Sequence, residues 1–222
     1  MEKTLYKVKY QQLKMLQSQG YDTEEESSLP YFKKFGEEGM LEEFIDADHI
    51  LNRRYTSEKG EEPKYCYYIN SKPAKKHIEA MVKTVQDTRI IIIISEKSIG
   101  IVVLRELFDL TEQGYRFVTF KFEELTFDIF ENFLVPRHKL LSRGQVRNFV
   151  NATKLSLDQL ARIHDKDPAI KRIDGKPGDV VKIYRRTYLH NSIVRNTIVY
   201  KLVIYTLPES EEKISKKGKI KI

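Results

Sequence analysis

The chain is poor in cysteine, and that scarcity excludes several kinds of chemistry. Cys66 is the only cysteine among 222 residues, so an internal disulfide and a cysteine-based zinc site are both excluded. It lies in the aromatic, strand-like run of residues 65–68, and we interpret it as a buried structural thiol. The five histidines show no pairing at metal-ligand spacing with Cys66 or with one another. We therefore predict no metal site and no cofactor.

Long hydrophobic runs are also missing. The best apolar run, the five isoleucines at 90–94, has the length of a core strand and is far too short to cross a bilayer. The N-terminus has no apolar signal region. We therefore expect an intracellular protein that makes no membrane contact.

Charge is divided unevenly along the chain. Residues 1–135 carry 19 Lys and Arg against 24 Asp and Glu, whereas residues 136–222 carry 20 against 8. Such a split is typical of two units with different partners. The basic part suits either nucleic acid or an acidic protein surface, and charge alone does not choose between them.

The first part of the chain alternates strand and helix patterns. Residues 4–19 are predicted to be a helix that ends at Gly20, and a second short helix is predicted at 31–35. Residues 56–62 are predicted to be an exposed loop. Three strands follow, at residues 64–69, 89–95 and 116–122, separated by helices that are predicted to start at Pro73 and Ser98. This order predicts a largely parallel sheet with right-handed crossovers.

The second part consists of shorter segments. Ser142 and Ser156 are predicted caps, Asp167-Pro168 is a helix start, and residues 175–178 form a tight turn. Strands are predicted at 180–186 and 198–207, with a polar hairpin connection at 187–196 between them. The predicted domains are residues 1–133 and 134–207. They are followed by a basic tail at 208–222, which we expect to be disordered.

Four motifs between residues 133 and 204 carry a family resemblance. They are Leu134-Val135-Pro136-Arg137-His138, Leu160-Ala161-Arg162-Ile163, Asp167-Pro168-Ala169 and Lys176-Pro177-Gly178-Asp179-Val180-Val181-Lys182-Ile183-Tyr184-Arg185. In this order and spacing they resemble the assembly domain of subunit 5 of eukaryotic-type DNA-directed RNA polymerase and of its archaeal counterpart. The resemblance implies an α/β plus α+β fold. Its N-terminal part would be a restriction-endonuclease-like α/β jaw domain with a mostly parallel sheet, and its C-terminal part a small two-layer α/β assembly domain.

The resemblance also implies a function without catalysis. The chain would be a structural subunit of a multisubunit RNA polymerase, with no catalytic residue and no small-molecule substrate. Its C-terminal domain would dock on the largest subunit, and its N-terminal domain would shape the jaw where downstream duplex DNA enters. The docking residues implied in this way are Pro136, Arg137, His138, Arg162, Asp167, Pro168, Gly178, Asp179, Lys182 and Arg185.

Two residue groups keep alternative interpretations. His138 either forms a hydrogen bond that fixes the strand between the domains or takes part in docking. Lys72, Lys75 and Lys76 lie at the start of a predicted helix, where positive charge opposes the helix dipole and gains nothing locally. They either approach DNA phosphates or form a solvated helix face.

The chain departs from the family pattern in several places. Ala161 stands where the family often has proline, and Ile173-Asp174-Gly175 replaces an apolar turn. The predicted connection at 187–196 is longer than usual, and the chain continues past the last strand. These departures suggest a divergent lineage, such as a large DNA virus that encodes its own polymerase. The expected location is the nucleus for a cellular protein, and a cytoplasmic viral factory or the virion for a viral one.

Two other functions remain open at this point. The first is a free-standing nucleic-acid-binding protein of the same ancestry. The second is a relic metal-dependent nuclease, which needs an acidic residue and a Glu-x-Lys pair on adjacent strand positions to hold a divalent ion. Glu62-Pro63-Lys64 lies ahead of a strand, and Glu211-Glu212-Lys213 lies in the tail, so neither has that context.

Overall fold

The computed structural model describes residues 2–27, 51–57, 59–85, 87–189 and 192–205. Their contacts divide the chain into two compact units, Met1–Phe127 and Asp128–Ile222. The helix predicted at 31–35 and the tail predicted at 208–222 lie outside the described residues. Among the residues that the structure describes, no helix combines the length and the hydropathy needed to cross a membrane.

The first unit is built on a four-stranded sheet. Its strands are β1 (Arg53–Tyr55), β2 (Lys64–Ile69), β3 (Ile90–Ser95) and β4 (Arg116–Lys121), in the order β1-β2-β3-β4. The last three are parallel, and β1 pairs antiparallel with β2 at the edge. The predicted, largely parallel sheet is therefore confirmed. The sequence did not predict β1, because three residues are too few to show a strand period.

Among the residues of this unit that the structure describes, four helices accompany the sheet, and two of them begin later than predicted. They are α1 (Glu2–Ser18), α2 (Glu24–Ser27), α3 (Lys75–Thr84) and α4 (Ile101–Glu112). Ala74 rather than Pro73 precedes α3, because the His77 ring accepts the Ala74 N–H at 3.1 Å and closes the first turn. Gly100 rather than Ser98 precedes α4, since Ile99 packs against the core before the helix begins.

The central strand β3 is buried on both faces. Ile91 and Ile93 pack with α3 and α4 in one hydrophobic cluster, whereas Ile92 and Ile94 pack with α1 in the other. Because successive side chains of a strand point to opposite faces, a strand covered on both sides needs apolar residues at every position. This accounts for the run of five isoleucines.

One of these two clusters encloses an ion pair. Lys9 Nζ donates to the Tyr55 hydroxyl at 2.7 Å and lies 3.2 Å from Glu26 Oε2. The Tyr55 hydroxyl donates in turn to the same carboxylate oxygen at 2.7 Å. The side chains of Lys9 and Glu26 are 0% and 2% exposed. Burial lowers the pKa of Lys9, and the charge of Glu26 opposes that shift.

The second unit contains a mixed sheet. Its strands are β5 (Arg137–Leu140), β6 (Ala161–His164), β7 (Val180–Leu189) and β8 (Ser192–Ile204), in the order β5-β7-β8-β6. Strand β7 pairs antiparallel with β5 and β8, and β6 pairs parallel with β8. In the described part of this unit, the sheet is accompanied by two helices, α5 (Arg143–Thr153) and α6 (Pro168–Arg172), and by 3-10 turns at Ile129–Glu131 and Leu157–Gln159.

The hairpin formed by β7 and β8 differs from the prediction. Residues 187–189 and 192–196 belong to the strands, with a register shift between Thr187 and Tyr188, and do not form a polar connection. The prediction was wrong because the polarity of these residues does not by itself indicate a loop. Half of these eight residues are threonine, tyrosine, isoleucine or valine, which favour strands even where some neighbours are polar.

Helices lie on both faces of the second sheet. Ile170 of α6 packs with Val181 and Ile183 of β7. Phe149 of α5 packs against Tyr200 of β8, with 4.4 Å between the ring centroids, and Tyr200 lies opposite Lys182. Because the side chains of residues 181 and 182 point to opposite faces of the sheet, α6 and α5 lie on opposite faces. Helix α5 contacts its face through Phe149 and buries none of its own residues, so the predicted two-layer arrangement stays a prediction.

Gly175 is required by close packing, which gives a first prediction. A Cβ atom at this position would lie 2.6 Å from Cγ2 of Ile170. We expect Gly175→Ala to lower the free energy of unfolding by about 1–3 kcal/mol, because this core cannot absorb the added methyl group. Urea unfolding followed through the amide signals of Val181 and Val203 measures the change.

Gly144 provides the matched control. It lies in the first turn of α5, and nothing lies within 4 Å of a Cβ built there. Gly144→Ala should leave the unit as stable as before or raise its free energy of unfolding by about 0.5–1 kcal/mol. Equal effects of the two substitutions would contradict the packing argument.

Candidate docking surface

Strand register places two of the predicted docking residues on the face covered by α6. His138 lies opposite Ile183, whose side chain belongs to the core beneath α6. Arg185 follows Ile183 by two positions and so shares its face. The predicted separation of Lys182 and Arg185 onto opposite faces is confirmed by this register.

Three other predicted docking residues lie on the opposite face, which α5 contacts through Phe149. Arg137 pairs with Tyr184, Arg162 pairs with Leu202, and Lys182 pairs with Tyr200. The Lys182 ammonium lies 5.0 Å from the centroid of the Tyr184 ring and 5.9 Å from that of Tyr200. The hydrogen bond to Tyr184 raises the pKa of Lys182, so its positive charge is firmly held. The predicted docking residues thus do not form one surface.

Four of the predicted residues shape the backbone around α6 and before β7. Asp167 Oδ1 accepts the N–H groups of residues 169 and 170 at 2.9 Å and 3.4 Å, which caps α6 ahead of Pro168. The predicted helix start is therefore confirmed. Asp179 Oδ2 accepts the N–H of Lys176 at 2.7 Å, and Gly178 in this turn has a φ of 93°. Replacing these residues by ones that cannot keep the same backbone contacts will affect folding as well as binding.

His138 is half-buried at the start of β5. Its Nδ1 lies 2.7 Å from the carbonyl oxygen of Pro136, and its ring centroid is 6.1 Å from that of Phe130. Burial lowers the pKa of His138, although the hydrogen bond to Pro136 and the charge of Asp167 oppose that shift. A neutral ring that donates Nδ1–H to Pro136 fits this environment. The hydrogen-bonding role is thus present, and the docking role stays a prediction.

The charges that act on His138 identify a further residue. They come from Asp167, Arg185 and Lys201, and strand register places Arg185 and Lys201 on the same face of the sheet as His138. Lys201 was missed by the sequence analysis. It follows Val199 by two positions, so it lies on the α6 face. Only its pairing with Val181 shows which residues of β7 lie beside it. We call His138, Asp167, Arg185 and Lys201 the α6-face cluster.

The lysines predicted to approach DNA lie at the start of α3 in the first unit. Lys72, Lys75 and Lys76 are all exposed. Lys75 Nζ lies 3.3 Å from Glu106 and 3.9 Å from Glu79, so its charge is partly neutralised. Helices α3 and α4 both follow the carboxyl ends of parallel strands, which places these lysines at that edge of the sheet. Their approach to DNA remains a prediction.

The candidate nuclease residues do not converge. Lys64 is buried, and its Nζ donates to Gln19 at 2.7 Å and lies 4.4 Å from the centroid of the Tyr21 ring. Glu62 is exposed. Within the described ranges, no group of three or more His, Cys, Asp or Glu side chains could hold a metal ion. The predicted burial of Cys66 is confirmed, and this burial raises the pKa of its thiol to about 12.

Comparison with known proteins agrees with the resemblance drawn from the motifs. The family described as RNA polymerase Rpb5, C-terminal domain, matches residues 127–203. DNA-directed RNA polymerase subunit Rpo5 of Pyrococcus horikoshii is 39% identical over 61 residues, which cover 28% of this chain and 74% of the relative. Subunit Rpo5 of Archaeoglobus fulgidus is 31% identical over 80 residues, which cover 36% of this chain and 100% of the relative. The chain belongs to the Rpb5 family of RNA polymerase subunits.

Proposed function

We propose that this chain is a non-catalytic structural subunit of a DNA-directed RNA polymerase and that its second unit docks on the largest subunit. Family membership supports the role as a subunit. The observation that carries the docking surface is the strand register, which places His138, Arg185 and Lys201 on the one face of the sheet where α6, capped by Asp167, packs. Rigid strands hold such groups more precisely than loops do.

The α6-face cluster suits a partner surface that is mainly acidic. Arg185 is exposed, and Lys201 contributes a second positive charge near His138. Asp167 supplies one negative charge in the same place, which favours a single orientation of the partner over others. Complementary charges of this kind contribute more to specificity and to the rate of association than to affinity. Arg162 and Lys182 lie on the other face and belong to a different contact.

For the first unit we propose the role of a jaw beside downstream duplex DNA. The exposed lysines at the start of α3 would contact phosphates without reading bases. Residues 1–135 carry more acidic than basic side chains, so this contact must be local and weak. It positions the duplex and does not hold it.

Affinity purification of the tagged chain tests the docking surface. The unaltered chain should bring down the large polymerase subunits in a complex that resists salt. We expect Arg185→Glu to reduce their yield by about tenfold, because reversing an interfacial charge costs more than 1 kcal/mol. Asp167→Asn should weaken the complex less, since asparagine keeps the helix cap and loses only the charge.

Arg147→Glu is the matched control, since Arg147 is an exposed arginine on α5. It should leave the yield unchanged, and thermal unfolding should be the same for all three variants. Equal yields from Arg185→Glu and Arg147→Glu would remove the α6-face cluster from the interface. A chain that comes down alone and binds DNA with a steep salt dependence would favour the free-standing nucleic-acid-binding protein. Metal-dependent cleavage lost in Glu62→Ala would favour the nuclease.

A further inference from the structure

The hairpin of the second unit extends beyond the rest of its sheet. Strand β5 pairs with β7 only as far as Tyr184, and β6 pairs with β8 only from Lys201 onward. Residues 185–189 and 192–197 therefore form a two-stranded arm, and no third strand pairs with it in the described part of the chain. A two-stranded ribbon is only marginally stable in water, and its unpaired edges are templates for another strand.

The register shows which backbone groups point to the open edge of β7. The N–H of Leu141 donates to the Val180 carbonyl at 2.9 Å, on the side of β5. Backbone groups of an antiparallel strand alternate in direction, so those of residues 182, 184 and 186 point the same way. Tyr184 lies opposite Arg137, the first residue of β5. Arg186 is the next residue in this series, and its N–H and C=O lie beyond the end of β5.

Odd-numbered residues of β7 point the opposite way. The N–H of Val203 donates to the Asp179 carbonyl at 2.8 Å, which sets the bonding phase between β7 and β8. Arg185 and Thr197, which lie opposite each other, are therefore bonded across the hairpin. Asn196 in the arm and Ile198 just beyond it direct their backbone groups to the opposite edge of the hairpin, away from β7.

Charge indicates the chemistry of a partner at the β7 edge. Residues 180–205 contain five Lys and Arg and no Asp or Glu. Arg185 and Arg186 are both exposed and, as successive strand residues, lie on opposite faces of the ribbon. An added strand with acidic side chains would meet a guanidinium group on either face. Opposite charges on neighbouring strands stabilise their pairing.

We propose that the β7 edge of the arm binds an extended, acidic segment of another polypeptide, which adds to the sheet as a strand beside residues 185–189. An extended peptide satisfies both the N–H and the C=O groups of an open edge. Phosphates of a nucleic acid accept hydrogen bonds and would leave the carbonyl groups unpaired. The proposal stands whether or not the chain assembles with a polymerase, since it does not depend on which protein supplies the segment.

Amide exchange in the purified full chain tests this proposal. The probe is a strand-length peptide of about ten residues that alternates glutamate and valine. In the free chain, the amide of Arg186 should exchange fast and that of Arg185 slowly. Excess peptide should slow exchange at Arg186 by about tenfold or more, because the amide becomes hydrogen-bonded. Exchange at Ile198, on the opposite edge, should stay unchanged.

Two variants and two further probes complete the experiment. Arg186→Glu should weaken binding of the peptide by about tenfold, whereas Arg143→Glu, at an exposed position at the start of α5, should not. A peptide that alternates lysine and valine should bind poorly. No slowing at Arg186, slowing at Ile198 instead, or equal binding of the lysine peptide would each overturn the proposal. Tighter, strongly salt-dependent binding of oligothymidylate would also overturn it, in favour of a nucleic-acid surface.

Discussion

Replacing Glu26 with leucine is expected to lower the free energy of unfolding of the first unit by about 3–5 kcal/mol. The substitution leaves the Lys9 ammonium buried without its carboxylate partner, which lies 3.2 Å away. It also removes the acceptor of the Tyr55 hydroxyl. A buried, uncompensated charge is among the most destabilising changes that a core can carry. Urea unfolding of the full chain, followed through amide signals of β3, measures the effect.

The double variant Lys9→Met with Glu26→Leu separates the cost of leaving Lys9 buried without a partner from the contribution of the intact ion pair to stability. Replacement of a buried ion pair by apolar residues of similar volume is often neutral, so most of the lost stability should return. If the two single effects simply add in the double variant, Lys9 and Glu26 do not interact, and the loss in Glu26→Leu has another origin.

The pH dependence of Glu26→Leu supplies an independent check. Burial lowers the pKa of Lys9 in the folded state, and loss of the carboxylate lowers it further. A group whose pKa is depressed by folding destabilises the folded state below that pKa, and the cost shrinks as pH rises toward the unfolded value. The stability of the variant, relative to the unaltered chain, should therefore increase as pH rises from neutral toward the ordinary lysine pKa of 10.5. A flat difference across that window would show that Lys9 is not the cause.

Ile93→Ala is the second substitution for which a large effect is expected, a loss of about 2–5 kcal/mol in the free energy of unfolding. The side chain is 0% exposed and packs with the cluster that includes Ile78, Met81 and Leu107. Its strand lies between β2 and β4, so the surrounding backbone cannot collapse easily into the cavity. Thermal and urea unfolding both measure this change.

Ile101→Ala is the matched control for the central strand. Ile101 is the first residue of α4, and 50% of its surface is exposed. Truncation there should change the free energy of unfolding by no more than about 0.5 kcal/mol, since little buried surface is lost. Similar losses from Ile93→Ala and Ile101→Ala would mean that β3 is not the centre of the core.

The parts of the fold that the sequence predicted correctly carry local signals. Asp167-Pro168 specifies a helix start because the carboxylate and the fixed φ act within three residues of each other. The isoleucine run specifies a strand because its β-branched residues and its length leave little alternative. The motifs between residues 134 and 185 are local as well, and they indicate the family without any knowledge of the fold.

The errors concern features that depend on distant residues. Lys9 looks like a polar position on a surface helix, and only the fold brings Glu26 and Tyr55 to it. Strands β5 and β6 have four residues each, which are too few for a periodic pattern. They form because they pair with the edges of β7 and β8. Lys201 was overlooked for the same reason, since strand register cannot be read from one segment alone.

Burial of the single cysteine has a practical consequence for spectroscopy on this chain. Cys66 has no exposed surface, and its pKa of about 12 keeps it protonated at neutral pH, whereas the thiolate is the reactive form. A thiol introduced on the surface, for instance by Ser142→Cys, would then react with maleimide dyes, whereas the Cys66 thiol would not. Fluorophores can thus be attached at chosen points without first deleting the natural residue.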